Sequence, residues 1–208
     1  TRNLTTGALT FAEAKINGIG GVSGIGGASA LAFSPGGDAL YVAGFSDNSV
    51  AVFSRNASDG HLGFIEKETD GVAAVDGIAG ARGVEVSPDG SLVLVAGATD
   101  GKVAVFSRNP SGPQIHQLDF LDMAGLVSAV DLAMAPAGEQ IYGVGSTTDL
   151  LGMYSETRAT VACPSPAGSD LTFSESVSIP AQSFVTFTAA AVLLNSASGT
   201  LVNTATVG

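Results

Sequence analysis

Short apolar runs, cut by Gly, Pro, Asp and Asn, recur along the first three quarters of the chain. "ALAFS" (Ala30–Ser34), "LYVAG" (Leu40–Gly44) and "VAVF" (Val50–Phe53) are three of them, and in the last two both alternating sets of side chains are apolar. A strand of that kind has to bury both of its faces. Between the runs stand "PGGD", where Pro fixes φ and Gly accepts a positive φ, and "SDNS", a tight hairpin turn. Lys, Glu and Arg are scarce while Gly, Val, Ser and Thr abound. The pattern predicts an all-β chain.

The runs repeat. "VAVFSRN" stands at Val50–Asn56 and again at Val103–Asn109, and a shift of 53 residues aligns Thr1–Asn56 with Ser54–Asn109 without a gap. Nearly half of the paired positions are identical. A weaker third copy, "APAGEQIYGVGSTTDLLGMYSET" (Ala135–Thr157), follows at a shift of 48, the loop around 122–130 having shortened. Each copy carries four strand signals, "VAVFSRN" being the third and "GHLGFIE" the fourth. Four antiparallel strands per repeat of roughly fifty residues is the signature of a β-propeller blade. The repeat units run about 1–53, 54–106 and 107–157. The chain opens inside a third-to-fourth strand ("TRNLTTGALTF") and its last repeat stops after the third strand. The opening segment is therefore a source for the missing fourth strand. About three blades are expected, as part of a larger ring or of one completed by other copies.

Through "LAFSPGGDALYVAG", "NSVAVFSRN" and "TGALTF", residues 1–157 resemble the lactonase-like, YVTN-type β-propellers of bacteria. After a linker at 158–170, residues 171–208 hold three further strand-like runs, expected as a short β-sandwich-like segment. From "ACP" at Cys163 to the ending "GTLVNTATV", the tail resembles the second half of an immunoglobulin-like repeat of bacterial surface proteins. That resemblance implies a second cysteine upstream of Cys163, and the sequence has only the one.

Charge and composition narrow the partners. A net charge of −11 repels phosphates and argues against nucleic acid. No apolar run reaches the length of a membrane-spanning helix. One cysteine excludes an internal disulfide. The histidines, His61 and His116, read as surface residues, and no Ser-His-Asp arrangement or metal-ligating spacing is visible. "GIGGVSGIGG" (Gly18–Gly27) matches a loop between repeats and opens no helix, so it is no dinucleotide site. Asp47, Asp100 and Asp149 fall in hairpin turns, which Asp supports, and one such turn offers too few oxygens for calcium. "NLT" at Asn3 and "NAS" at Asn56 are glycosylation sequons.

Positions that break the repeat point to function better, because a bare scaffold needs no asymmetry. Arg82 stands where the first repeat has Ser29, and Glu85 where it has Ala32. Both fall beside the innermost strand of the middle blade, as candidate ligand-binding residues at the channel entrance or as a structural ion pair between blades. The resemblance to lactonases implies a channel-side cluster of Arg, His and acidic residues, of which only these two are visible. The expectation is accordingly a non-enzymatic extracellular or bacterial cell-surface protein for adhesion or assembly, without cofactor or metal. Its partners would be proteins, surface glycans or further copies of itself. The alternative is a lactonase-like hydrolase of a sugar lactone.

Overall fold

The computed structural model describes residues 3–109, 112–122, 128–147 and 149–155, all within one compact unit, Thr1–Thr157. The tail expected to be immunoglobulin-like, with Cys163, lies outside the described residues. Three antiparallel sheets follow one another along the chain. The first, blade 1, holds β1 (Ala28–Phe33), β2 (Ala39–Gly44), β3 (Ser49–Arg55) and β4 (Leu62–Thr69) in that spatial order. Blade 2 repeats the order with β5 (Ala81–Val86), β6 (Leu92–Gly97), β7 (Lys102–Arg108) and β8 (Ile115–Asp122). In blade 3, β9 (Ala129–Met134), β10 (Gln140–Gly145) and β11 (Leu150–Ser155) are described. The repeated heptapeptide supplies the third strand of blades 1 and 2, as its two-sided apolar pattern requires. The architecture is all-β, built of propeller blades.

First strands meet across blades, β1 lying against β5 and β5 against β9, so they form the inner wall of the arc. Between blades 1 and 2 lies a dry core of Ala39, Tyr41, Ala43, Val50 and Val52 from one side and Val84, Val93, Val95, Ala104 and Phe106 from the other. Between blades 2 and 3 the described residues form a smaller core, around Leu94, Ala96, Val103, Ala129 and Leu132. Alternate residues of β6 serve the two cores in turn, which is why "LVLVAG" has no polar face.

Polar links recur at the repeat's own spacing. The Glu66 carboxylate accepts the Ile115 N–H at 2.8 Å, joining β4 of blade 1 to β8 of blade 2. Fifty-three residues earlier, Glu13 accepts the Leu62 N–H at 2.6 Å. Glu13 therefore sits beside blade 1 as Glu66 sits beside blade 2, in the place of a fourth strand belonging to a preceding blade. Lys15 and His61 also bond Glu13, and the Lys15 ammonium first among them brings its pKa down to about 2. The opening segment nonetheless forms no strand among the described residues, and Leu9 and Phe11 are 82% and 81% exposed. Their counterparts in β4, Leu62 and Phe64, pack instead on the Phe53 core, Phe64 edge-on to Phe53 at 5.6 Å.

Two glycines show how tightly loop and sheet approach. A Cβ on Gly44, the last residue of β2, would strike the Gly24 carbonyl, and one on Gly97, the last of β6, the Gly77 carbonyl. The loops that enter each blade press on these points, so neither position admits a side chain.

Candidate functional site on the inner strands

The innermost strand of blade 2 reads "ARGVEV", with a register shift between Ala81 and Gly83 that sets Arg82 off the regular alternation. The Arg82 guanidinium lies 4.7 Å from the centre of the Phe45 ring of blade 1, and its side chain is exposed. Its backbone carbonyl accepts the Ser29 hydroxyl at 2.9 Å. Glu85 faces the other way. It is half-buried against blade 3, and burial, together with the Asp131 charge, pushes its carboxyl above the usual range while a bond from the Met134 N–H pulls the other way. Arg82 and Glu85 thus sit on one inner strand but lean towards different neighbours, and they form no ion pair with each other.

Asp131 on β9 was not among the sequence candidates. It occupies the repeat position held by Ala30 in blade 1 and Gly83 in blade 2, and its own backbone closes on Gly83. The departure from small residues at that position was the available signal. Glu85 and Asp131 together give the inner wall of blades 2 and 3 two carboxyls, and the Asp131 charge adds to the burial that raises Glu85. A carboxyl held above its ordinary pKa can take a proton from water near neutral pH and hand it on, and an exposed guanidinium can steady a developing oxyanion.

Three acidic residues that gather away from this wall have structural partners. Asp70, Asp76 and Asp100 bring one oxygen each within 4.8 Å of the others. Asp70 accepts the Ile78 N–H at 3.1 Å, Asp100 the Ala79 N–H at 2.9 Å, and Asp76 pairs with the Lys102 ammonium at 2.8 Å. In blade 1 the same places hold Asn17, Ser23 and Asp47, and there Asp47 accepts the Gly26 N–H. The trio therefore fastens each entering loop to its hairpin turn. His61 lies just outside β4, where its Nδ1 reaches Glu13 at 3.1 Å, and His116 lies on β8. Two open clefts, of about 190 Å³ beside Ala14–Val22 and about 350 Å³ beside Arg108 and His116, lie away from the inner strands.

Three comparisons bear on this wall. A family profile described as "Lactonase, 7-bladed beta-propeller" matches residues 3–130. Among solved structures, the periplasmic gluconolactonase of Pseudomonas aeruginosa is 22% identical with a TM-score of 0.56, over 65% of this chain and 37% of its own. A Bacteroides uniformis protein provisionally named a 6-phosphogluconolactonase is 22% identical with a TM-score of 0.57, over 67% and 39%. A Lactobacillus plantarum protein is 21% identical with a TM-score of 0.57, over 65% and 39%. At these identities the structures share the fold, and the chain spans less than two fifths of their length. No curated protein matches it.

The expectation of a non-enzymatic protein is corrected by the family match, which points to an enzyme. It rested on the sparseness of polar residues along the inner strands. A propeller collects its axial side chains from every blade, so three blades display only part of such a set. The match extends over more than half of the sequence, and the chain belongs to the lactonase family of seven-bladed β-propellers.

Proposed function

We propose that the chain supplies three blades, and one sector of the axial site, of an enzyme that hydrolyses a sugar lactone. The observation that carries this reading is the family match over residues 3–130. The inner wall supports it with a cation, Arg82, and two carboxyls, Glu85 and Asp131, at positions where the other blades have small or apolar residues. In the reaction a water oxygen bonds to the lactone carbonyl carbon and the ring C–O bond breaks, leaving a hydroxy acid. Glu85 accepts the proton of the attacking water and returns it to the departing ring oxygen, while Arg82 stabilises the carbonyl oxygen as it gains charge.

The test is the ring opening of glucono-δ-lactone, followed as proton release in weak buffer against the spontaneous rate. The chain is expected to accelerate it, and Arg82→Ala and Glu85→Gln each to lower kcat/KM about tenfold to a thousandfold. A rate equal to the spontaneous one, or full activity in both variants, would overturn the proposal.

A further inference from the structure

Three positions at the seam between blades 1 and 2 depart from the repeat together, and they meet in space. Arg82 stands where blade 1 has Ser29 and blade 3 has Val130. Phe45 stands where the later copies have Ala98 and Ser146, and Asn48 where they have Gly101 and Asp149. Phe45 and Asn48 lie on the turn between β2 and β3 of blade 1, and both reach the segment that enters β5 of blade 2. The Asn48 Oδ1 accepts the Gly80 N–H at 2.7 Å. The Phe45 ring carries the Arg82 guanidinium, 4.7 Å from its centre. Ser29 completes the grip, its hydroxyl lying 3.0 Å from the Ala81 carbonyl oxygen and 2.9 Å from that of Arg82. Blade 1 thus holds Arg82 at its root and at its head.

The ring is not what makes the turn. The Phe45 N–H donates to the Gly27 carbonyl at 3.3 Å and the Ser46 N–H to the Gly26 carbonyl at 2.9 Å. In blade 2, Ala98 and Thr99 make the same two bonds, to Gly80 and Ala79, both at 3.0 Å. An alanine therefore serves the hairpin as well as a phenylalanine does. What the ring has and Ala98 lacks is a face of negative potential, on which a guanidinium rests by attraction between cation and quadrupole. An arginine free on an exposed strand samples many rotamers. One laid on a ring and rooted by Ser29 has given most of them up before any ligand arrives.

We infer that Phe45 is a positioning residue for the reaction. It holds the Arg82 guanidinium in the orientation from which that group meets the lactone carbonyl oxygen as the oxygen gains charge. The inference rests on the lactone-hydrolase reading, in which Arg82 has that role, and adds the residue that fixes it in place. Phe45 acts through the guanidinium and not on the reacting atoms. Its contribution is made where the carbonyl oxygen carries negative charge, in the transition state, so it raises kcat and leaves KM unchanged. Because the ring works only through Arg82, its effect vanishes once Arg82 is removed.

Two measurements on the purified protein test it. In nuclear magnetic resonance spectra the δ-methylene signal of Arg82, identified by its loss in Arg82→Ala, is expected upfield of its usual position under the ring current of Phe45. It should return to that position in Phe45→Leu and stay upfield in Phe45→Tyr, which keeps the ring. In the glucono-δ-lactone assay, Phe45→Leu is expected to lower kcat about twofold to fivefold with KM unchanged. Phe45→Tyr should retain the rate, and Phe45→Leu should cost nothing further when Arg82→Ala is already present. An Arg82 signal indifferent to Phe45→Leu would overturn the inference. So would a wild-type protein that hydrolyses the lactone and loses nothing in Phe45→Leu, or loses as much with Arg82 absent. The lactone reading would then stand without it. A wild-type rate equal to the spontaneous one would defeat the lactone reading itself, and the inference with it.

Discussion

The two seams inside the arc are built from one repeat, yet they differ in kind. Between blades 1 and 2 the side chains that meet are fully buried, and Arg108 ties the rim to Asp38 and Tyr41. Between blades 2 and 3 the described residues form a smaller buried cluster, and glycines 143 and 152 stand where the earlier copies have Val42, Val95, Ala51 and Ala104. The sequence carries no such tie at the second seam: Ser91 and Leu94 stand where blade 1 has Asp38 and Tyr41, and Glu156 stands where blade 2 has Arg108. Sequence drift between copies therefore registers as lost packing at the interface more than as changed topology, since backbone pairing within β9, β10 and β11 keeps the same antiparallel order.

The sharpest way to break that contrast is to remove equivalent rings from the two seams. Phe106 on β7 and Tyr154 on β11 occupy the same repeat position, each facing the preceding blade. Phe106 is 0% exposed, so Phe106→Ala should cost about 3–5 kcal/mol in urea unfolding. Tyr154 is half-buried, and Tyr154→Ala should cost about 1–2 kcal/mol. Equal losses would show that both seams pack alike.

Next in size is Gly97→Ala. The new methyl group would meet the Gly77 carbonyl, and the entering loop of blade 2 has no flexible side chain at that point to give way. A loss of about 1–3 kcal/mol is expected in thermal or urea unfolding. Gly145→Ala at the equivalent place in blade 3 makes the comparison.

Arg108→Met keeps the unbranched apolar stem of the side chain and deletes the guanidinium. It removes the bond to Tyr41 and the ion pair with Asp38, whose own carboxyl is held below its usual range chiefly by the Ser34 hydroxyl. A loss of about 1–2 kcal/mol at neutral pH is expected. The sign with pH follows from the direction of the Asp38 shift. A carboxyl lowered in the folded state contributes stability above its unfolded pKa and loses it as pH falls through the folded value. The gap between wild type and Arg108→Met should therefore narrow on acidification.

Much of this was legible in the sequence because a duplication gives the strand pattern twice. "VAVFSRN" declared a strand apolar on both faces, and the repeat spacing fixed the order of elements before any contact was known. What could not be read was the role of the polar residues that close the heptapeptide. Arg55 and Arg108 look like a solvated exit from the strand, and only the folded seam shows Arg108 reaching another blade. Glu13 and Glu66 were likewise hidden, because their partners are backbone N–H groups 49 residues away, which leave no mark on composition. At the candidate site, the two residues that broke the repeat most visibly, Arg82 and Glu85, do lie on an inner strand. Their divergence arises at the bulge, a backbone feature that alternation cannot anticipate. Asp131 escaped because the third copy had drifted too far for one substitution to stand out.

Glu85 offers the smallest effect and the most specific one. Burial, reinforced by Asp131, raises its pKa in the folded chain, so folding favours its protonated form. A group of that kind contributes stability below its unfolded pKa and loses it as pH rises through the folded value. Glu85→Gln, which cannot ionise, should thus gain in stability relative to wild type between acidic and neutral pH. Asp131→Asn should shift the same profile in wild-type Glu85 downward, because a neighbouring negative charge is withdrawn. Parallel urea midpoints for wild type and Glu85→Gln across that pH range would mean that Glu85 is as well solvated as a surface carboxylate. The seam between blades 2 and 3 would then be open to water along the inner wall as well as at its rim.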